Sequence, residues 1–261
     1  MKVLLVGGSG HVGSFVTPYL RKKHQLRVLD LRPPRHKDVE YVEGSITDPQ
    51  ALQRALEGVD TFINMVMKNP TSGREATLEE IINNYQVNTL GLHLLLYTAQ
   101  SMGIKRGVHT STFTVHDRRR TWYPSEDELP LDNPGVYGLT KGFGELICRY
   151  FCREFDMNII ALRITGPRTR EQWLAEFPRP KPIPSGGHLW PTDEEDLANA
   201  YMAALEAVQV GHGRFDAIYI AGDVKEQEIN LTKARRILGW EPRTHLKVPP
   251  EAFPPAPEEQ S

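Results

Sequence analysis

The sequence predicts an α/β fold: a doubly wound parallel sheet (Rossmann-like) covered by helices, with a small C-terminal substrate-binding region. Strand-like and helix-like stretches alternate from the first residue, the pattern of parallel strands joined by helical crossovers. A glycine-rich turn closes the first strand and opens the first helix. The chain has 261 residues, 39% of them hydrophobic, enough to bury a substantial core.

Each element follows from local pattern. "KVLLVG" reads as a buried strand, followed by a helix from about Val12 to Lys23 and the strand "QLRVLD". "VEYVEG" is the third strand and "PQALQRALEG" a helix with apolar positions at i, i+3 and i+4. "VDTFINMV" is the fourth strand, and a long helix is expected from about Thr77 to Ser101. "RGVHTST" forms the next strand, Tyr137 to Glu154 a helix and "NIIALRI" a strand. Residues 1–165 therefore make the dinucleotide-binding domain, with strand 214–221 expected to return to its sheet. Residues 166–248 make the reduced substrate region. They open with "GPRTREQWLAEFPRPKPIPSGGHLWP", dense in Pro, Gly and Arg and without a clean period, as loops over active sites are. A helix resumes at "DEEDLANAYMAALEAV", and "NLTKARRILGW" is a short amphipathic one. The Pro-rich, acidic tail 249–261 is expected to be disordered.

Composition narrows the setting. A formal net charge of -2 without a long basic block argues against nucleic acid as a partner. No apolar run approaches the roughly 18 residues that span a bilayer, and the first, Val3 to Val6, is too short for a signal-peptide core. A soluble cytoplasmic protein is expected. Cys148 and Cys152 fall on one helix face and pack as small apolar residues. No metal-ligand cluster is expected.

"VLLVGGSGHVG" sets Gly7, Gly10 and Gly13 after a strand and at the mouth of a helix. The first permits a tight turn, the second lets backbone approach a pyrophosphate, and the third allows close helix-to-strand packing. The helix N-terminus at His11 and Val12 offers free N–H groups and a positive dipole to the phosphates. Asp30 ends the second strand, roughly 20 residues beyond the loop, where a carboxylate accepts hydrogen bonds from a ribose. It would repel a 2′-phosphate, which favours NAD; Arg32 and Arg35 leave NADP open.

Tyr137 and Lys141, at i and i+4, share one helix face. A phenol titrates near pH 10 and is a poor base at neutrality. A nearby ammonium and an oxidised nicotinamide would favour the phenolate.

"GGSGHVG", "NTLG", "HTSTFTVH", "VYGLTKGFGE", "LRITGPR", "DEEDLANAYMAALE" and "KARRILGWEP" together resemble the extended short-chain dehydrogenase/reductase group, the NAD-dependent epimerase/dehydratase family, from Lys2 to about Pro242. The resemblance implies a Rossmann enzyme with Thr112, Tyr137 and Lys141 as catalytic residues, Lys141 also holding the nicotinamide ribose. It places Ser111 beside Thr112 against the substrate, and Ser45, Ile46 and Asn64 near the cofactor. The chain departs from the family where an aspartate usually follows the third strand, since Ser45 and Ile46 stand there. Asn64, Met65 and Met67 replace the usual run after the fourth strand. The positions of a dehydratase Asp-Glu pair hold Phe113 and Thr114, which argues against water elimination. His116 stands where many relatives have tyrosine and reads as structural or surface.

The compact C-terminal region looks most like that of uronate dehydrogenases, in which an arginine of the loop after the sixth strand pairs with the substrate carboxylate. Arg168 and Arg170 are the candidates here, Arg179 a weaker one; a loop serine of that subgroup aligns with Gly166. The expected activity is NAD(P)-dependent hydride transfer at a CH–OH group of a small sugar, sugar acid or polyol. The rivals are a nucleotide-sugar 4-epimerase and a non-catalytic NAD(P)-sensing protein. The apolar breadth of "LGLHLLLY" and "LICRYF" leads us to expect a homodimer formed by the two long helices.

Overall fold

Successive side chains of the first strand, β1 (Lys2–Val6), enter different apolar clusters: Val3 and Leu5 join one, Leu4 and Val6 the other. This two-residue period is what a strand buried on both faces requires. The computed structural model describes residues 1–69, 75–177, 181–183, 187–211, 213–249 and 252. After β1 come α1 (His11–Leu20), β2 (Gln25–Asp30), β3 (Glu40–Glu43), α2 (Pro49–Leu56) and β4 (Thr61–Asn64). The expected long helix follows as α3 (Leu78–Asn84), a π-helical segment (Tyr85–Gly91) and α4 (Leu92–Ser101). Then come β5 (Arg106–Thr112), α5 (Val136–Phe155) and β6 (Asn158–Ile164). The C-terminal region adds β7 (Pro167–Arg168), α6 (Arg170–Glu176), β8 (Lys181–Pro182), β9 (His188–Leu189), β10 (Thr192–Asp193), α7 (Glu194–Ala207), β11 (Phe215–Ile220) and α8 (Thr232–Leu238).

The main sheet has 7 strands in the order β11-β6-β5-β4-β1-β2-β3, every pair of them parallel. Strand order reverses between β1 and β4, the crevice where open α/β sheets bind ligands at their C-terminal edge. α1 and α7 cover the face that carries Val3 and Leu5; α2, α4 and α5 cover the other.

Close approach of α1 to β1 depends on glycine. A Cβ at Gly13 would lie 2.2 Å from the Gly8 carbonyl oxygen, and Gly7 has φ +81°, a left-handed conformation that glycine adopts without strain. In the long helix, Asn88 is buried and its amide donates to Thr140 Oγ1, Asn84 Oδ1 and the Lys68 carbonyl. Gly91 lets Ile46 approach, since a Cβ there would meet Ile46 Cγ2 at 2.6 Å. These contacts fall within the π-helical segment, a form that often marks functional sites.

The loop read without period after Ile164 contains α6. Thr169 caps it, accepting from Gln172 N while Gln172 Oε1 accepts from Thr169 N, a capping box present in the sequence. The tail 249–261 lies, apart from 249 and 252, outside the described residues.

Beneath the C-terminal edge Arg163 of β6 and Glu145 of α5 form a two-pronged pair at 2.7 and 2.9 Å, both essentially sealed from solvent. Arg163 also donates to the Glu126 carbonyl and faces His116 Nε2 at 3.0 Å. His116 Nδ1 donates to the Pro130 carbonyl and Nε2 accepts from the Tyr219 hydroxyl at 2.8 Å. Burial and then the Arg163 charge lower the His116 pKa to about 4, so it is a neutral framework residue. Truncating one partner of such a buried pair strands the other charge. Glu145→Ala is expected to cost about 3–5 kcal/mol, read as a lower urea midpoint; an unchanged midpoint would show that the pair is dispensable.

Candidate active site

A cavity of about 670 Å³ opens at the C-terminal edge of the sheet. Gly7, Gly10, His11, Val12, Asp30 and Ser45 line one end; Thr112, Tyr137 and Gly166 line the other. Between them lie Met65 to Lys68, the segment leaving β4.

The first end has the features of a phosphate and ribose site. α1 begins at Gly10 with no side-chain cap and no acidic residue in its first turn, so its N–H groups and dipole face the cavity unshielded. A Cβ at Gly10 would meet the Gly7 carbonyl oxygen at 3.1 Å; the turn is a cradle that a side chain would fill. Gly13 lies outside the lining and serves helix packing. Asp30 accepts from Ser9 N at 3.0 Å and Arg32 N at 3.2 Å, which fixes its carboxylate beside the loop. Ser45 and Ile46 both line the cavity, and Ser45 Oγ bonds Thr47 Oγ1 at 2.8 Å. These residues fit a dinucleotide with free ribose hydroxyls.

At the second end, Thr112 terminates β5 and Tyr137 stands in the first turn of α5. The Tyr137 hydroxyl donates to Met67 Sδ at 3.6 Å, and Thr112 Oγ1 accepts from Thr114 N at 3.1 Å. Burial raises the Tyr137 pKa to about 12, against the smaller opposing effect of Thr112. The phenol is therefore protonated near neutral pH.

Other expected residues are placed differently. Lys141 is buried outside the cavity lining; its Nζ donates to the Thr110 carbonyl at 2.6 Å and lies 3.4 Å from His109 Nε2. Burial lowers its pKa to about 8, and burial followed by the Lys141 charge keeps His109 neutral. Ser111 points away from the cavity, donating to Glu145 Oε1 at 2.6 Å. Its neighbour Thr112 faces in because side chains alternate along a strand. Asn64 lies beneath the surface, bonded to His109 Nδ1 at 3.2 Å and to Val66 N.

The arginines expected to take a substrate carboxylate are committed elsewhere. Arg168 pairs with Glu176 at 2.9 Å. Arg170 pairs with Asp193 and Glu195, tying α6 to the start of α7. Neither lines the cavity. Arg179 lies outside the described residues. Arg118, Thr165 and Leu189 line it instead, residues that no local motif distinguishes.

Among the described residues no group of His, Cys, Asp and Glu is arranged to hold a metal ion, and no helix is long and apolar enough to cross a membrane.

Residues 3–172 match the model of the NAD dependent epimerase/dehydratase family. An NAD-dependent glucose-6-phosphate dehydrogenase from Haloferax volcanii is 23% identical over 260 residues, 92% of this chain and 92% of that one. An uncharacterized protein of Sinorhizobium fredii is 29% identical over 170 residues, 64% of this chain, and the chain spans only 40% of that protein's length. A short-chain dehydrogenase/reductase superfamily protein from Agrobacterium tumefaciens, solved with bound NAD, superposes with a TM-score of 0.75 at 21% identity, over 93% of this chain and 92% of that one. A glucuronic acid dehydrogenase from Chromohalobacter salexigens gives 0.71 at 24%, over 92% and 84%.

Lys141 provides a pH-dependent signature. Its folded pKa of about 8 lies below its ordinary value of 10.5, so the unfolded chain binds more protons between those values and stability rises with pH there. The contribution is flat below pH 8, grows by about 3 kcal/mol toward pH 10.5 and is flat above. Lys141→Met is expected to abolish this increment in urea unfolding at pH 7 and 10; parallel behaviour of the two proteins would show an unshifted ammonium.

Proposed function

Because the chain belongs to the NAD dependent epimerase/dehydratase family, we propose that it is an NAD-dependent oxidoreductase acting on a CH–OH group of a small sugar, sugar acid or polyol. One observation carries the reading: Thr112 and Tyr137 line a single cavity with an uncapped helix N-terminus and the Asp30 carboxylate. The sugar dehydrogenases among the relatives support the substrate class.

Gly7, Gly10 and the α1 N-terminus would hold the pyrophosphate, and Asp30 the adenosine ribose. Asp30 disfavours a 2′-phosphate, so NAD is the cofactor. When bound, oxidised NAD supplies the hydride acceptor and a positive charge that favours the phenolate. Thr112 would hydrogen-bond the substrate oxygen and orient the carbinol. Tyr137 would take the hydroxyl proton at its phenol oxygen as the C–H hydride leaves, giving a carbonyl product. Lys141, anchored on Thr110, would act from behind the helix by its charge.

Tyr137→Phe is expected to lower kcat by about 10³-fold with NAD affinity nearly intact, followed by nicotinamide absorbance over a panel of free sugars, uronates, polyols and nucleotide sugars. Retained turnover would remove Tyr137 from the reaction. Turnover of nucleotide sugars without net absorbance change would instead indicate epimerisation.

We also infer a homodimer. Tyr85, Thr89, His93, Phe143, Leu146, Ile147 and Tyr150 line an open groove across the long helices, where Leu146 is 52% and Tyr150 41% exposed. Apolar exposure of this extent on neighbouring helices fits a self-complementary contact. Light scattering at micromolar concentration is expected to give a dimer that Leu146→Glu dissociates; a wild-type monomer would refute it.

A further inference from the structure

Arg118 is a buried cation that forms no ion pair among the described residues. It is 8% exposed and lines the cavity together with Thr112, Tyr137 and Thr165. Its guanidinium lies over the Phe113 ring at 4.6 Å, and Phe113 directly follows Thr112 in the chain. One Nη2 hydrogen goes to the His188 carbonyl at 2.7 Å. The Nε–H is sealed from solvent and has no hydrogen-bond acceptor. Thr165, 3% exposed on the same cavity, likewise has an Oγ1 with no partner.

Buried charges in folded proteins are ordinarily paired, and the arginines described around this site follow that rule. Arg163, the other buried arginine, holds Glu145 with two hydrogen bonds, while Arg168 and Arg170 hold Glu176, Asp193 and Glu195. Among the described residues no carboxylate pairs with Arg118. The nearby Glu228 is engaged by His188 Nδ1 and Trp190 Nε1. A purely architectural role would satisfy the guanidinium with framework acceptors. Here the Phe113 face and the His188 carbonyl hold it in place while the Nε edge stays unmatched. An aromatic face, a carbonyl anchor and guanidinium donors left over at the cavity wall suit recognition of an oxyanion.

Building on the dehydrogenase reading, we propose that Arg118, assisted by Thr165, recognises an anionic group, carboxylate or phosphate, on the small sugar whose carbinol meets Thr112 and Tyr137. The substrate class narrows from sugars in general to sugar acids or sugar phosphates. The arginine expected from the loop after β6 is replaced by one from the loop after β5.

The test compares a free hexuronate, a hexose 6-phosphate and the neutral parent hexose in wild-type protein, Arg118→Gln and Arg118→Lys, by NAD reduction. Wild type is expected to favour one of the anions over the neutral hexose by about 100-fold in kcat/KM, and which anion wins identifies the source. Arg118→Gln should lower kcat/KM for the anionic sugar by about 100-fold, chiefly through KM, and far less for the neutral hexose, so that the preference is erased; Arg118→Lys should restore part of it. Equal use of anionic and neutral sugars, or equal loss on both with NAD affinity unchanged, would overturn the anion site and leave the dehydrogenase reading standing. If no sugar is turned over, calorimetric binding of the uronate and the sugar phosphate to the protein–NADH complex decides. Binding lost in Arg118→Gln keeps the anion site and discards dehydrogenation; absent or Arg118-independent binding discards the anion site.

Discussion

The Arg163–Glu145 pair is the contact on which the active-site edge depends. It joins β6 to α5, and through Ser111 and Glu145 it reaches β5. Thr112 comes from β5 and Tyr137 from α5, so their relative position follows from how those elements lock together. A buried ion pair is a weak source of net stability but a strong penalty on any arrangement that separates it. Its hydrogen bonds to Glu126 and His116, and the bond from the Tyr219 hydroxyl to His116, leave little freedom in how the strands end.

Around this frame, burial rather than charge pairing sets the proton affinities of Tyr137 and Lys141. Desolvation raises Tyr137 to about 12 and lowers Lys141 to about 8, each toward its neutral form. The phenol is thus held as a donor near neutral pH. A charge delivered by a ligand has a large effect in such a place, because few mobile dipoles are present to screen it. Arg118 extends the same logic to a permanent charge that cannot become neutral and is held instead by an aromatic face and one carbonyl.

Much of the fold was legible because parallel strands are short, apolar and bounded by turn residues. "QLRVLD", "RGVHTST" and "NIIALRI" coincide with β2, β5 and β6. The long helix from Thr77 to Ser101 was legible as a helix but not as one with a π-helical centre, since Asn88 and Gly91 act through Thr140, Lys68 and Ile46, distant in sequence. α6 was missed because the Pro, Gly and Arg around it hide the period of a helix of 7 residues, although its capping box was visible. The cavity-facing positions were legible where local motifs dictate them, as at Gly7, Gly10, Asp30 and Tyr137, and at Thr112 through the family resemblance. Ser111 and Asn64 were misplaced for want of knowing which strand face was already satisfied.

The sequence by itself determined the strand and helix order, the glycine turn at a helix mouth and the Tyr137–Lys141 spacing, because these are local consequences of side-chain period and backbone freedom. Tertiary structure alone decided which charges are already neutralised. Arg170 meets Asp193 across 23 residues, Arg163 meets Glu145 across 18, and Arg118 meets no carboxylate among the described residues. Pairing is a property of three-dimensional distance and burial, and a row of similar arginines in a sequence carries neither.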